Sequence, residues 1–106
     1  MPGSTAPMTE AMYYVLLALL QSNHGYQLMT VVEQVSHNRV KMGPGTLYGL
    51  LSKMQKDKFI IMLSDDGRRK TYSITNKGMA ALEAEYERIK AMAEDGKIIR
   101  GVQIDV

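Results

Sequence analysis

The stretch PGTLYGLLSKMQK (Pro44–Lys56), followed almost at once by FIIMLSDDGRRKTYSI (Phe59–Ile74), decides the fold. The first part predicts a helix. Proline at the first helical position loses nothing, because its missing N–H would have no intrahelical partner there. Gly43 stands at the N-cap, an accepted residue for that place. Leu47, Leu50, Leu51 and Met54 fall at i, i+3, i+4 and i+7, the apolar stripe of an amphipathic helix. The opposite flank carries Gly45, Gly49, Ser52 and Lys56, beside Thr46, Tyr48 and Lys53. It offers small residues, hydroxyls and lysines, with no acid and no aliphatic side chain. Glycine inside a helix costs about 1 kcal/mol against alanine, so this flank is expected to serve a close approach from outside.

The second part predicts a β-hairpin, with Asp66-Gly67 as a two-residue turn between β-rich runs. That turn pairs Asp65 with Arg68, Leu63 with Lys70, Ile61 with Tyr72 and Phe59 with Ile74. Phe59, Ile61, Leu63, Tyr72 and Ile74 then share one apolar face. The tip bears Gly67, Arg68, Arg69 and Lys70.

Outward from this centre, Thr9 caps a helix from Glu10 to Gln21 that is apolar nearly all round and must be covered on more than one side. A second helix is expected from Gly25 to Ser36. After the hairpin, Thr75 caps a last helix to about Asp95. Its Met79, Leu82, Tyr86, Ile89, Ala93 and Gly96 alternate spacings of three and four, the seam of helices packed lengthwise. The tail, 96–106, can continue the helix or cross to a partner. The expected divisions are a flexible lead (1–8), a DNA-binding unit (9–75), and a dimerisation helix with its tail (76–106).

Charge is distributed unevenly. Residues 39–77 hold nine basic and three acidic residues, a net of +6, while the segments before and after each carry −2. A local basic surface is the footprint of a polyanionic partner. The N-terminus, MPGSTAPM, lacks the basic and apolar regions of a signal peptide. The longest apolar stretch, Val15 to Leu20, is far short of the roughly 20 residues of a membrane span. Without cysteine the chain suits a reducing cytoplasm, and no membrane partner is expected.

Helix, helix, helix, hairpin, helix is the order of a winged helix-turn-helix, an α+β fold that is mostly α, with a two-stranded wing and a long C-terminal helix. Its third helix enters the major groove. Thr46, Tyr48, Gly49 and Ser52 are the residues expected against base edges or phosphates, and Lys53 and Lys56 against phosphates. The wing tip reaches an adjacent minor groove, where arginine is favoured. Asp65 and Asp66 must then be aimed away from phosphate.

The chain resembles the PadR family of transcriptional regulators, its short members in particular. The resemblance lies in His24-Gly25-Tyr26, Gly45-Thr46-Leu47-Tyr48, Arg68-Arg69-Lys70-Thr71-Tyr72, Ile74-Thr75 and Lys77-Gly78, and covers residues 9 to 100. It implies a homodimer on a pseudo-palindromic operator, usually a repressor, often released by a small effector. It implies DNA contacts from Tyr26, the GTLY segment and the wing, and dimerisation through the first and last helices. Met12, Tyr13, Leu16, Leu82, Tyr86, Ile89 and Ala93 are the residues assigned to that interface. An effector would sit at the same interface, with Tyr13, Tyr14 and Tyr86 as candidate lining. The chain departs from the family at Gly43, where serine is common, and at Lys58, where glycine is common. A left-handed Lys58 costs on the order of 1 kcal/mol.

No catalytic reading survives. Serine and histidine are present but nothing orders them into nucleophile and base, and GPGTLYG lacks the lysine and spacing of a phosphate-binding loop. His24 and His37 alone assemble no metal set, and no cofactor is expected. Two alternatives remain open beside the DNA-binding reading: a protein–protein adaptor using the basic face, and a chiefly ligand-binding protein with little DNA affinity.

Overall fold

The computed structural model describes residues 7–106, so most of the lead (residues 1–6) lies outside the described residues. The elements are α1 (Glu10–Leu19), a 3-10 turn (Gly25–Gln27), α2 (Leu28–Val35), α3 (Pro44–Lys56), β1 (Ile60–Asp65), β2 (Lys70–Ile74) and α4 (Asn76–Asp95), followed by a 3-10 turn (Gly96–Gly101). This is the winged helix-turn-helix order read from the sequence.

Each boundary has a local cause. The Thr9 hydroxyl accepts from the Met12 N–H at 3.1 Å and starts α1. Gly43 N-caps α3 in extended conformation, with Pro44 first in the helix. The Thr75 hydroxyl accepts from the Gly78 N–H at 3.0 Å and starts α4. Two helices end the same way. After α3, Lys58 turns left-handed (φ 65°), donating to the Gln55 carbonyl while Phe59 donates to that of Met54. After α2, His37 and Asn38 (φ 55° and 66°) donate to Gln34 and Glu33. These crossed bonds are the Schellman closure, which satisfies carbonyls the helix leaves open. Lys58 therefore accepts the strain expected at that position.

One core holds the helices to the wing. Val15, Leu16 and Ala18 of α1, Leu28 and Val32 of α2 and Leu47, Leu51 and Met54 of α3 are inaccessible or nearly so. Phe59, Ile60, Tyr72 and Leu82 close it from the wing and α4. Truncating one such leucine to alanine costs about 2–5 kcal/mol. Gly78 marks the tightest junction: a Cβ there would lie 2.1 Å from the Phe59 carbonyl oxygen and 2.9 Å from Ile74. The start of α4 is thus pressed against the base of the wing, and only glycine permits it.

The hairpin departs from its expected register. The Asp66 N–H donates to the Arg69 carbonyl, so the two-residue loop is Gly67-Arg68, one step further on than Asp66-Gly67. Asp65 pairs with Lys70 and Ser64 with Thr71, then a bulge at Leu63 shifts the ladder, so that Met62 faces Tyr72, Ile61 faces Ser73 and Ile60 faces Ile74. Moving the loop alone would have kept Leu63 on the Tyr72 face. The bulge turns β1 over: Ile60 is buried, whereas Ile61 and Leu63 are about half exposed, at 51% and 55%. The physical reason lies in FIIML, which is apolar at every position and names neither face. The closure after α3 buries Phe59 and Ile60, and that choice fixes the rest.

Candidate nucleic-acid interface

The open flank of α3 is the first component of the site. Gly45, Thr46, Gly49, Ser52, Lys53 and Lys56 are all exposed along it. A Cβ built at Gly45 or Gly49 meets nothing within 4 Å. Neither glycine is therefore required by packing within the protomer, unlike Gly78 and Gly25. The apolar stripe behind them, Leu47, Leu51 and Met54, is fully spent on the core.

The wing tip is the second component. Arg68 and Arg69 are exposed and enter no ion pair among the described residues. The acids beside them are taken up by the turn itself. The Asp65 carboxylate accepts from the Gly67 N–H at 2.9 Å, and that of Asp66 accepts from the Arg68 and Arg69 N–H groups at 3.0 and 2.6 Å. The Arg69 and then the Arg68 N–H hold the Asp66 carboxyl below the ordinary carboxylate range. Gly67, at φ 87°, occupies the first loop position, where a side chain would be strained. The two acids that a phosphate would repel are thus hydrogen-bonded into the scaffold of the loop.

A third component joins the other two. The Tyr72 N–H donates to the Asn23 carbonyl at 2.9 Å, and His24 bridges Thr71, so residues 23–26 run along the free edge of β2. Gly25 fits there because a Cβ would meet Tyr72 at 3.1 Å and the Tyr48 hydroxyl at 3.2 Å. The Lys70 ammonium sits 5.9 Å from the centre of the Tyr48 ring. Tyr48 is therefore half-buried at the junction of α3, the wing and the 3-10 turn, while Tyr26 on that turn is 51% exposed. The expected DNA-contact residues are brought to α3, the wing and the turn packed between them.

Not every cation there is free. Lys53 lies 3.6 Å from Asp57, one helical turn on. Arg39 pairs with Glu10 across the surface. Lys56 has no ion-pair partner among the described residues. The serine and threonine hydroxyls on the outer face of the wing escaped the sequence reading, because the expected register separated Ser64 from Thr71.

The residues assigned to a dimer interface divide into two groups. Leu16, Met12 and Leu82 are buried in the protomer's own core, at 0%, 8% and 3% exposure, and have almost no surface to give a partner. Tyr86, Ile89 and Ala93 lie exposed on the distal half of α4, with Met92 beside them. The seam read from spacing therefore serves two purposes, packing on α1 and the wing in its first turns and standing free beyond Glu85. Glu85 is buried and paired with Arg88, which holds its carboxyl below the usual range. Tyr13 is half-buried and meets Tyr14 edge-on, with ring centres 5.7 Å apart. Burial, then Tyr14, Tyr86 and Glu85, raise the Tyr13 hydroxyl above its ordinary pKa. In the tail, Ile98, Ile99 and Ile104 are more than 70% exposed. Among the described residues no helix is long and apolar enough to cross a membrane.

Comparison with known proteins agrees with this geometry. A solved PadR-like transcriptional regulator from Bacillus cereus superposes with a TM-score of 0.71 at 26% identity, over 88% of this chain and 93% of that one. F93 from STIV, a winged-helix DNA-binding protein, shares the fold at a TM-score of 0.67 and 23% identity, over 80% of this chain and 92% of that one. The transcriptional regulator YqjI of Escherichia coli is 27% identical over 82 residues, which are 76% of this chain and 40% of that protein. The chain spans less than half the length of the first curated relatives it matches. The model of the PadR-like transcriptional regulator family matches residues 15–84, from the first helix through the wing into α4. With most of its length matched and the winged helix in place, the chain belongs to the PadR-like family of transcriptional regulators.

Proposed function

We propose that the chain acts as a cytoplasmic homodimer that binds a pseudo-palindromic operator and represses transcription. One observation carries this reading: Gly45 and Gly49 lie on an open helix flank that none of the described residues occupies, beside an arginine-tipped wing whose acids are hydrogen-bonded to the N–H groups of its own loop. Such a flank suits a helix lying deep in a major groove roughly 12 Å wide. Thr46, Tyr48 and Ser52 would meet base edges or phosphates there, and Lys53, Lys56, Arg68, Arg69, Lys70 and Tyr26 would meet the backbone and minor groove. The exposed distal half of α4 would pair with a second copy and set the half-site spacing. An effector, if the dimer takes one, would lie at the Tyr13, Tyr14 and Tyr86 cluster.

Selection of bound duplexes from a random pool tests this directly. The expected product is an inverted repeat with half-sites about one turn, or a multiple of it, apart. Enrichment of no sequence, or of a single unrepeated site, would count against the dimeric operator reading.

A further inference from the structure

We infer that the outer face of the wing makes a second, uncharged contact with the duplex backbone, in which the Ser64–Thr71 hydroxyl pair donates to a phosphate and Leu63 packs on the adjoining deoxyribose. This rests on the DNA-binding reading and adds to it three residues from outside the expected set.

The hydroxyls come first. Ser64 Oγ and Thr71 Oγ1 are 2.9 Å apart on paired positions of β1 and β2, at the surface. The pair holds two protons and its internal hydrogen bond uses one. Neither oxygen has another hydrogen-bond partner among the described residues, so one O–H remains for an external acceptor. Serine and threonine hydroxyls commonly bond phosphate oxygens.

Leu63 is the second observation. The bulge extrudes it from the ladder and leaves it 55% exposed beside this pair. Bulges re-aim side chains near functional surfaces, and the core formed by the described residues does not take up this one. Around it the outer face holds Ile61, Ser64, Thr71 and Ser73, and the nearest carboxylates, of Asp65 and Asp66, are hydrogen-bonded to N–H groups of the loop.

Position supplies the third. Ser64 and Thr71 stand two pairs behind Asp66 and Arg69, the pair that closes the loop, a run of about 7 Å along the strand. If Arg68 and Arg69 enter a minor groove about 7.5 Å deep, these residues come level with its lip. Phosphates and deoxyribose line the lip, and base edges lie deeper.

A contact without charge releases no counterion, so it adds affinity without adding salt dependence. The test uses the full chain and a duplex chosen by random-pool selection, with affinity measured across a salt series. Either hydroxyl alone still offers one O–H, so the double variant Ser64→Ala with Thr71→Val should weaken binding about tenfold while leaving the log–log salt slope unchanged. Leu63→Ser should weaken binding at unchanged slope as well. Thr71→Ser, which keeps the hydroxyl, should bind as the parent does, and thermal unfolding confirms that each variant is folded. Unchanged affinity in the Ser64→Ala, Thr71→Val double variant overturns the inference while leaving the operator reading standing. A flattened slope overturns it too, because the pair would then act only by placing the arginines. If the parent chain binds no duplex at low salt, the reading beneath the inference falls with it.

Discussion

The α3–wing surface and the distal half of α4 are both exposed, yet they are made of different material. The first presents glycines, hydroxyls and arginines without an ion-pair partner among the described residues, with its acids hydrogen-bonded into a turn. The second presents Tyr86, Ile89 and Met92, and leads into a tail bearing Ile98 and Ile99. Exposed apolar surface of that kind marks an interaction site, whereas a basic hydroxyl-rich one suits a polyanion. The contrast teaches that exposure alone does not define a function. What matters is which groups the protomer has already satisfied and which it leaves open.

The largest expected effect falls on the apolar side. Ile89→Glu, which puts a charge on the free stripe, should convert the proposed dimer to a monomer in analytical ultracentrifugation. Losing the second half-site should then reduce operator affinity by about 10²–10⁴-fold. A variant that stays dimeric would move the interface elsewhere. Next comes Gly78→Ala, whose methyl would drive into the Phe59 carbonyl. It should destabilise the fold by about 1–3 kcal/mol, read by chemical denaturation.

On the charged side, Arg68→Ala with Arg69→Ala would remove four phosphate contacts from the proposed dimer. The log–log salt slope, about −7 for four contacts per protomer, should flatten by roughly 3–4. An unchanged slope would take the arginines off the DNA. The smallest effect concerns the turn. Because the folded Asp66 carboxyl is held below its ordinary value of 3.8, its contribution is present above that pH and lost as pH falls through the lower folded value. Protection of the Arg68 and Arg69 amides, the exchange rate relative to its intrinsic value at each pH, should drop only at the acid end. Protection that stays constant as the pH is lowered until the fold itself is lost would show the carboxylate to be idle.

Much of this was legible in the sequence because separate signals agreed. Pro44, the Leu47–Met54 stripe and the Thr75 cap each placed a boundary by local chemistry. The hairpin existed in the pattern, but its register did not: FIIML offers no alternation, and a bulge is a tertiary solution that leaves no mark in composition. The same error hid the Ser64–Thr71 pair. The seam of α4 was visible as spacing, but spacing cannot say where a helix stops packing on its own domain. Leu82 and Tyr86 belong to one periodic pattern and yet face different fates. Gly25 and Gly78 stood out as motif residues, and their purpose appeared only with the atoms they admit.

The claim beneath all of this is that the α3 flank is shaped for a partner and not for the protomer. Gly49→Leu tests it in a single pair of readings, thermal midpoint and operator affinity. The free space around Gly49 and the better helix propensity of leucine predict a midpoint that rises, from a gain of up to about 1 kcal/mol, while operator binding is largely lost. Binding that survives the added side chain, or a fold that fails because of it, would contradict the account.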